Sequence, residues 1–109
     1  MALIQEVRGI QPKINDGVFL AQDATILGDV EIGSQSSIWF KSVIRGDVNS
    51  IRIGSEVNVQ DSCILHATFE HSKTIVEDRV SIGQGVILHG CHICSHTLIG
   101  MGSIIMDLA

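Results

Sequence analysis

Five histidines and one C-x-x-C string carry most of the chemistry open to this sequence of 109 residues. His66 and His89 each follow a leucine, in Leu65-His66 and in Leu88-His89-Gly90-Cys91, while His71, His92 and His96 stand in polar surroundings. Neutral imidazole is a zinc ligand and a proton acceptor near neutral pH. Two upstream strings are similarly rich. Ile44-Arg45-Gly46-Asp47-Val48-Asn49 sets a guanidinium beside a carboxylate, and Asn58-Val59-Gln60-Asp61 gathers two amides and a carboxylate. Taken alone, His71, His92 and His96 read as solvated surface or turn residues, and His66 and His89 as satisfied polar residues. Cys91-His92-Ile93-Cys94 has redox or metal spacing. It does not open a helix after a strand, so thiols packed in or near a β core are the expectation.

The elements that position these residues come from one repeat. Aliphatics recur every six residues at Leu20, Ile26, Ile32, Ile38 and Ile44, and after a three-residue slip at Ile53, Val59 and Leu65. A polar insertion around residues 67–75 follows, then Ile82 and Leu88, and a shorter step leads to Ile93, Ile99 and Ile105. Glycine follows the aliphatic at Gly33, Gly54, Gly83 and Gly100. Such a hexapeptide period predicts an all-β fold, a parallel β-helix. Each hexapeptide supplies one short strand and one turn, and three make a triangular coil. A Gly, Asn or Asp at the corner is expected to supply a positive φ. One coil cannot bury its own apolar side, so coils must stack. The whole chain, residues 1–109, reads as a single β-helix domain with repeats from about 18 to 106.

Composition supports this. The chain is 45% hydrophobic and 17% charged, ample for a core, and the apolar mass is aliphatic, with no Tyr, one Trp and three Phe. Eleven glycines against one proline suit frequent tight turns. A net charge of −5 with no basic cluster argues against nucleic acid and anionic membranes as partners. No stretch approaches the ~20 apolar residues of a membrane span. The start lacks a secretory pattern, which makes cytoplasm the expected compartment, or an organelle if a transit peptide has been removed. Three cysteines do not make a disulfide framework.

In order and wording, the four strings resemble the γ-class carbonic anhydrases over about residues 10–106. Ser36-Ser37-Ile38-Trp39-Phe40 matches that family too. The resemblance implies a left-handed β-helix and a homotrimer with zinc at the subunit interface, iron or cobalt being alternative metals. By position, His66 matches the first ligand and His89 the last, both from one subunit. Gln84 stands where the family's middle ligand, a histidine from the next subunit, belongs. His66 and Gln84 lie one nominal coil apart. Arg45 and Asp47 match an interface pair suited to a bidentate guanidinium–carboxylate contact. Asn58, Gln60 and Asp61 match polar residues that orient the metal's water, although trimer integrity alone could explain all five. The resemblance also implies truncation: family members run on for several coils and end in a helix packed outside, which this chain lacks.

The activity implied is reversible hydration of CO2 to bicarbonate. Two departures bear on it. Gln84 offers zinc a weaker donor than imidazole, leaving open weak binding, a substitute ligand (His71, His92 or His96), or no metal. Val48 stands where the family carries a proton-shuttling glutamate, and Glu70 could replace a second one. A catalytically weak or inactive structural or assembly homologue is therefore the alternative, including a hetero-oligomer in which a paralogue supplies the missing histidine. A hexapeptide acyltransferase shares the fold but fits the strings less well.

Overall fold

A computed structural model describes residues 1–109, which form fourteen parallel-paired strands and no helix. The strands make three faces of a left-handed parallel β-helix. The first face stacks β1 (Leu3–Gln5), the start of β4 (Thr25–Ile32), the start of β6 (Val43–Ile53), β8 (Ile64–His66), β11 (Ile87–His89) and β14 (Ile104–Ile105). The second stacks β2 (Lys13–Ile14), the ends of β4 and β6, β9 (Thr74–Val76) and β12 (His92–Ile93). The third stacks β3 (Phe19–Leu20), β5 (Ser37–Ile38), β7 (Asn58–Val59), β10 (Ser81–Ile82) and β13 (Leu98–Ile99).

Parallel register turns the period of six into three interior columns. Ile26, Ile44, Leu65, Leu88 and Ile105 align on the first face. Ile32, Ile53, Val76 and Ile93 align on the second, and Leu20, Ile38, Val59, Ile82 and Ile99 on the third. Most of these are fully buried, each burial worth about 1.5–3 kcal/mol before the entropy of ordering is charged. Every aliphatic of the sequence repeat lies in a column; Val76, hidden behind the insertion, adds one more.

The corners differ in part from expectation. Positive φ is supplied at the turns by Gly17, Gly85 and Gly102, as expected, but also by Gln35, Lys41, Glu56, Ser62, Arg79 and His96. Of the glycines that follow the aliphatics, Gly33, Gly54 and Gly83 serve close approach instead, whereas Gly100 has room. A Cβ on Gly33 would lie 2.5 Å from the Gly54 carbonyl carbon, and one on Gly54 would lie 2.3 Å from Asp78 Oδ1. Coils stack too tightly there for any side chain.

Both interruptions of the repeat are now physical. Gly28 pairs with Gly46 but Val30 with Ile51, so Asp47–Ser50 bulge out between two faces. The insertion lifts residues after Ala67 out of the coil, closes on a Thr68–Ser72 bridge, and returns to the ladder at Thr74.

Candidate metal centre

The insertion sets which residues meet. His66 pairs in register with His89, 23 residues away, and not with Gln84, because the added residues lengthen that coil. The two imidazoles end β8 and β11, side by side at the corner between the first and second faces. Their rings stand 5.0 Å apart at 78°, with His66 Nδ1 3.2 Å from His89 Nε2.

Each ring's other nitrogen meets a carboxylate. His66 Nε2 is 3.0 Å from Asp47 Oδ1, carried in by the bulge, and His89 Nδ1 is 2.8 Å from Asp107 Oδ1. A carboxylate only accepts, so His66 Nε2 and His89 Nδ1 carry the protons. The remaining nitrogens turn their lone pairs toward one gap. A shared proton or a metal ion satisfies such a pair. Tetrahedral zinc with bonds of 2.0–2.1 Å to nitrogen sets ligand nitrogens about 3.3 Å apart. The observed spacing fits, and carboxylates behind ligating histidines are the usual support of zinc sites.

The carboxylates are held ionised. Burial would raise Asp47, but hydrogen bonds from His66 and Arg45, with their charges, outweigh it and hold the carboxyl below its usual range. Asp107 accepts from Thr68 Oγ1, from Ser72 Oγ at 2.7 Å and from His89, which together hold it far below that range. Thr68 and Ser72 belong to the insertion, which thus buttresses the centre. The sequence reading missed Asp107, which lies two residues past Ile105, the register partner of Leu88, and reaches back to His89 from the following turn.

Arg45 reaches Asp47 through Nη1 alone, at 2.8 Å. The expected bidentate contact is absent within the chain. The two residues sit two apart on one strand, and Asp47 Oδ1 already faces His66.

The other candidates occupy a different corner. Gln84 lies exposed on the turn after β10. The preceding coil brings Gln60 and Asp61 beside it: Gln60 N–H donates to Ile82 O, and Gly85 N–H donates to Asp61 O. Asn58 on β7 donates to Ser37 Oγ at 2.8 Å, which also accepts from Trp39 Nε1 at 3.0 Å. The candidates therefore form two clusters at two corners of the triangle. Arg45, Asp47, His66 and His89 make one; Asn58, Gln60, Asp61 and Gln84 make the other. His71 and His96 are exposed and in neither, and Glu70 sits at the tip of the insertion with a φ of 55°.

The thiols divide as well. Cys63 and Cys91 are buried, which raises both above the usual thiol range. Cys94 is exposed, contrary to the expectation of packed thiols. Ile93 takes the interior position of its strand, which turns Cys94 outward.

Fold and site together define a hexapeptide-repeat β-helix protein with a histidine–carboxylate centre. The chain belongs to the γ-class carbonic anhydrase-like family. A protein named carbonic anhydrase from Geobacillus kaustophilus is 48% identical over 107 residues, covering 98% of this chain and 58% of that protein. Gamma carbonic anhydrase 1, mitochondrial, from Arabidopsis thaliana is 41% identical over 101 residues, covering 88% and 37%. A solved structure described as a putative acetyltransferase from Bacillus cereus superposes with a TM-score of 0.94 at 52% identity, covering 97% of this chain and 61% of that one. No family model matches. The chain thus spans only 58% and 37% of the length of these two curated relatives.

Proposed function

We propose that this chain is a γ-carbonic-anhydrase-like subunit that binds zinc through His66 and His89 and catalyses the reversible hydration of CO2 to bicarbonate. The observation that carries this is the pair of facing lone pairs, 3.2 Å apart, with a carboxylate behind each ring. When bound there, zinc supplies a water acidic enough to act as nucleophile near neutral pH.

The chain's own groups do the rest. Asp47 and Asp107 fix the imidazole tautomers, which points the lone pairs of His66 Nδ1 and His89 Nε2 toward the metal, and make both better donors. Arg45 anchors Asp47. The second corner, with Gln84 as a weak third ligand and Asn58, Gln60 and Asp61 as polar lining, faces the histidines of the next copy in a homotrimer. Two half-sites at two corners of one triangular coil suit a cyclic trimer, in which each copy presents one half to each neighbour. A paralogue with histidine at the Gln84 position could take the neighbour's place. Water and CO2 give bicarbonate and one proton, which leaves to solvent because Val48 offers no carboxylate.

Gln84 favours a second reading, a structural homologue whose scaffold outlived its chemistry. Stopped-flow CO2 hydration by the native chain beside Gln84→His separates the two. Zinc-dependent turnover in the native chain, raised tenfold or more in Gln84→His, supports the enzyme. Turnover in neither supports the structural reading.

A further inference from the structure

The second face carries another set of ligand atoms, outside both clusters. Glu77, His92 and Cys94 each offer one donor, and the three donor atoms lie within 4.8 Å of one another. The β-helix builds this set from register. His92 pairs with Ile75 and Ile93 with Val76, and Glu77 N–H donates to Ile93 O at 2.9 Å. Ile93 points inward, so His92 and Cys94 on either side of it point outward, next to Glu77 on the adjacent coil.

We propose that Glu77, His92 and Cys94 form a second, surface metal site for zinc or a similar borderline divalent cation.

Three observations bear on it. Glu77 Oε2 and His92 Nε2 already converge at 2.6 Å, so a metal needs to part them by only about 0.7 Å to reach tetrahedral spacing. Both side chains are about half exposed and free to make that shift. Glu77 Oε1 accepts the Ser95 N–H at 3.2 Å, which orients the carboxylate and leaves the other oxygen for the metal. One sulfur, one nitrogen and one oxygen suit zinc or cobalt, whereas calcium and magnesium require more oxygens.

Binding balances simply. The Cys94 S–H gives its proton to solvent. The proton that His92 Nε2 shares with Glu77 is lost from Nε2 to solvent or replaced by one on Nδ1. Three protein–metal bonds form, and water completes the fourth position. Cys63 and Cys91 are buried, so Cys94 is the thiol that added metal can reach.

Cobalt(II) titration of the full chain under reducing conditions tests the site. A thiolate-to-cobalt charge-transfer band in the near ultraviolet is the expected result, saturating by about two equivalents in the native chain, whose histidine centre also takes cobalt, and at about one in a His66→Ala/His89→Ala chain. Cys94→Ser should abolish the band, and Glu77→Gln and His92→Ala should each weaken binding about tenfold or more. All three side chains are at the surface, and circular dichroism confirms that each variant folds. The His66–His89 pair contains no sulfur and cannot give this band, so a His66→Ala/His89→Ala chain should retain it. No band in the native chain, or a band that survives Cys94→Ser, overturns the proposal without touching the function proposed above.

Discussion

His66 and His89 face each other across adjacent coils, Nδ1 to Nε2 at 3.2 Å, with the insertion looped out of the coil that joins them. Their separation of 23 residues exceeds a plain coil by about five, and those residues loop outward so that the pairing is kept. The insertion also supplies Thr68 and Ser72, which hold Asp107 behind His89. Loop, ladder and site are therefore one device.

Asp107 should matter more to metal than to folding. Asp107→Asn can turn an amide N–H toward His89 Nδ1 and so reverse the tautomer. Calorimetric zinc titration should show affinity down by about 10–100-fold, with the circular dichroism spectrum unchanged.

Acid should erase the benefit of Asp47. Its folded carboxyl titrates below the usual range, so the stabilisation is complete above the unfolded pKa near ~3.9 and is lost as pH falls through the lower folded value. The stability gap between native and Asp47→Asn protein, from urea unfolding across pH, should be full at pH 7 and close below about pH 4.

Gly46 tolerates no side chain. A Cβ there would lie 2.6 Å from the Asp29 carbonyl oxygen and 3.0 Å from Val30 Cγ2, within a tight crossing beside the bulge. Gly46→Ala should cost about 1–3 kcal/mol in urea unfolding. It should also weaken zinc binding, because Asp47 is the next residue.

Ile44 stands between Ile26 and Leu65 in the first-face column and is fully buried. Ile44→Ala leaves a cavity between rigid coils and should cost about 2–5 kcal/mol, read as a lower urea midpoint with an unchanged slope.

The columns were legible because burial imposes a strict period of six on the aliphatics, and Ile26, Ile32, Ile38 and Ile44 obey it without a break. The slip before Ile53 and the polar run after Leu65 were visible too, but not their consequence. Spacing set His66 and Gln84 one nominal coil apart with the insertion breaking strict stacking, but only the register across the insertion pairs His66 with His89. The support from Asp107 was hidden because that residue follows the last aliphatic of the repeat on a turn, and its contacts with His89 and with Thr68 of the insertion come from coil stacking. The corner glycines misled because Gly33 and Gly54 answer to the backbone of the next coil, a neighbour the local sequence does not display. Cys94 was read with Cys91 as one motif, yet alternation about Ile93 turns it to the surface, beside His92 and Glu77.

Zinc content per chain, measured in the Cys94→Ser background so that only the histidine centre counts, tests the account most directly. Cys94→Ser protein, equilibrated with zinc and freed of excess, should retain close to one zinc per chain. Adding His66→Ala and His89→Ala should remove it. A Cys94→Ser chain that retains no zinc, or a triple variant that retains it in full, would contradict the central claim.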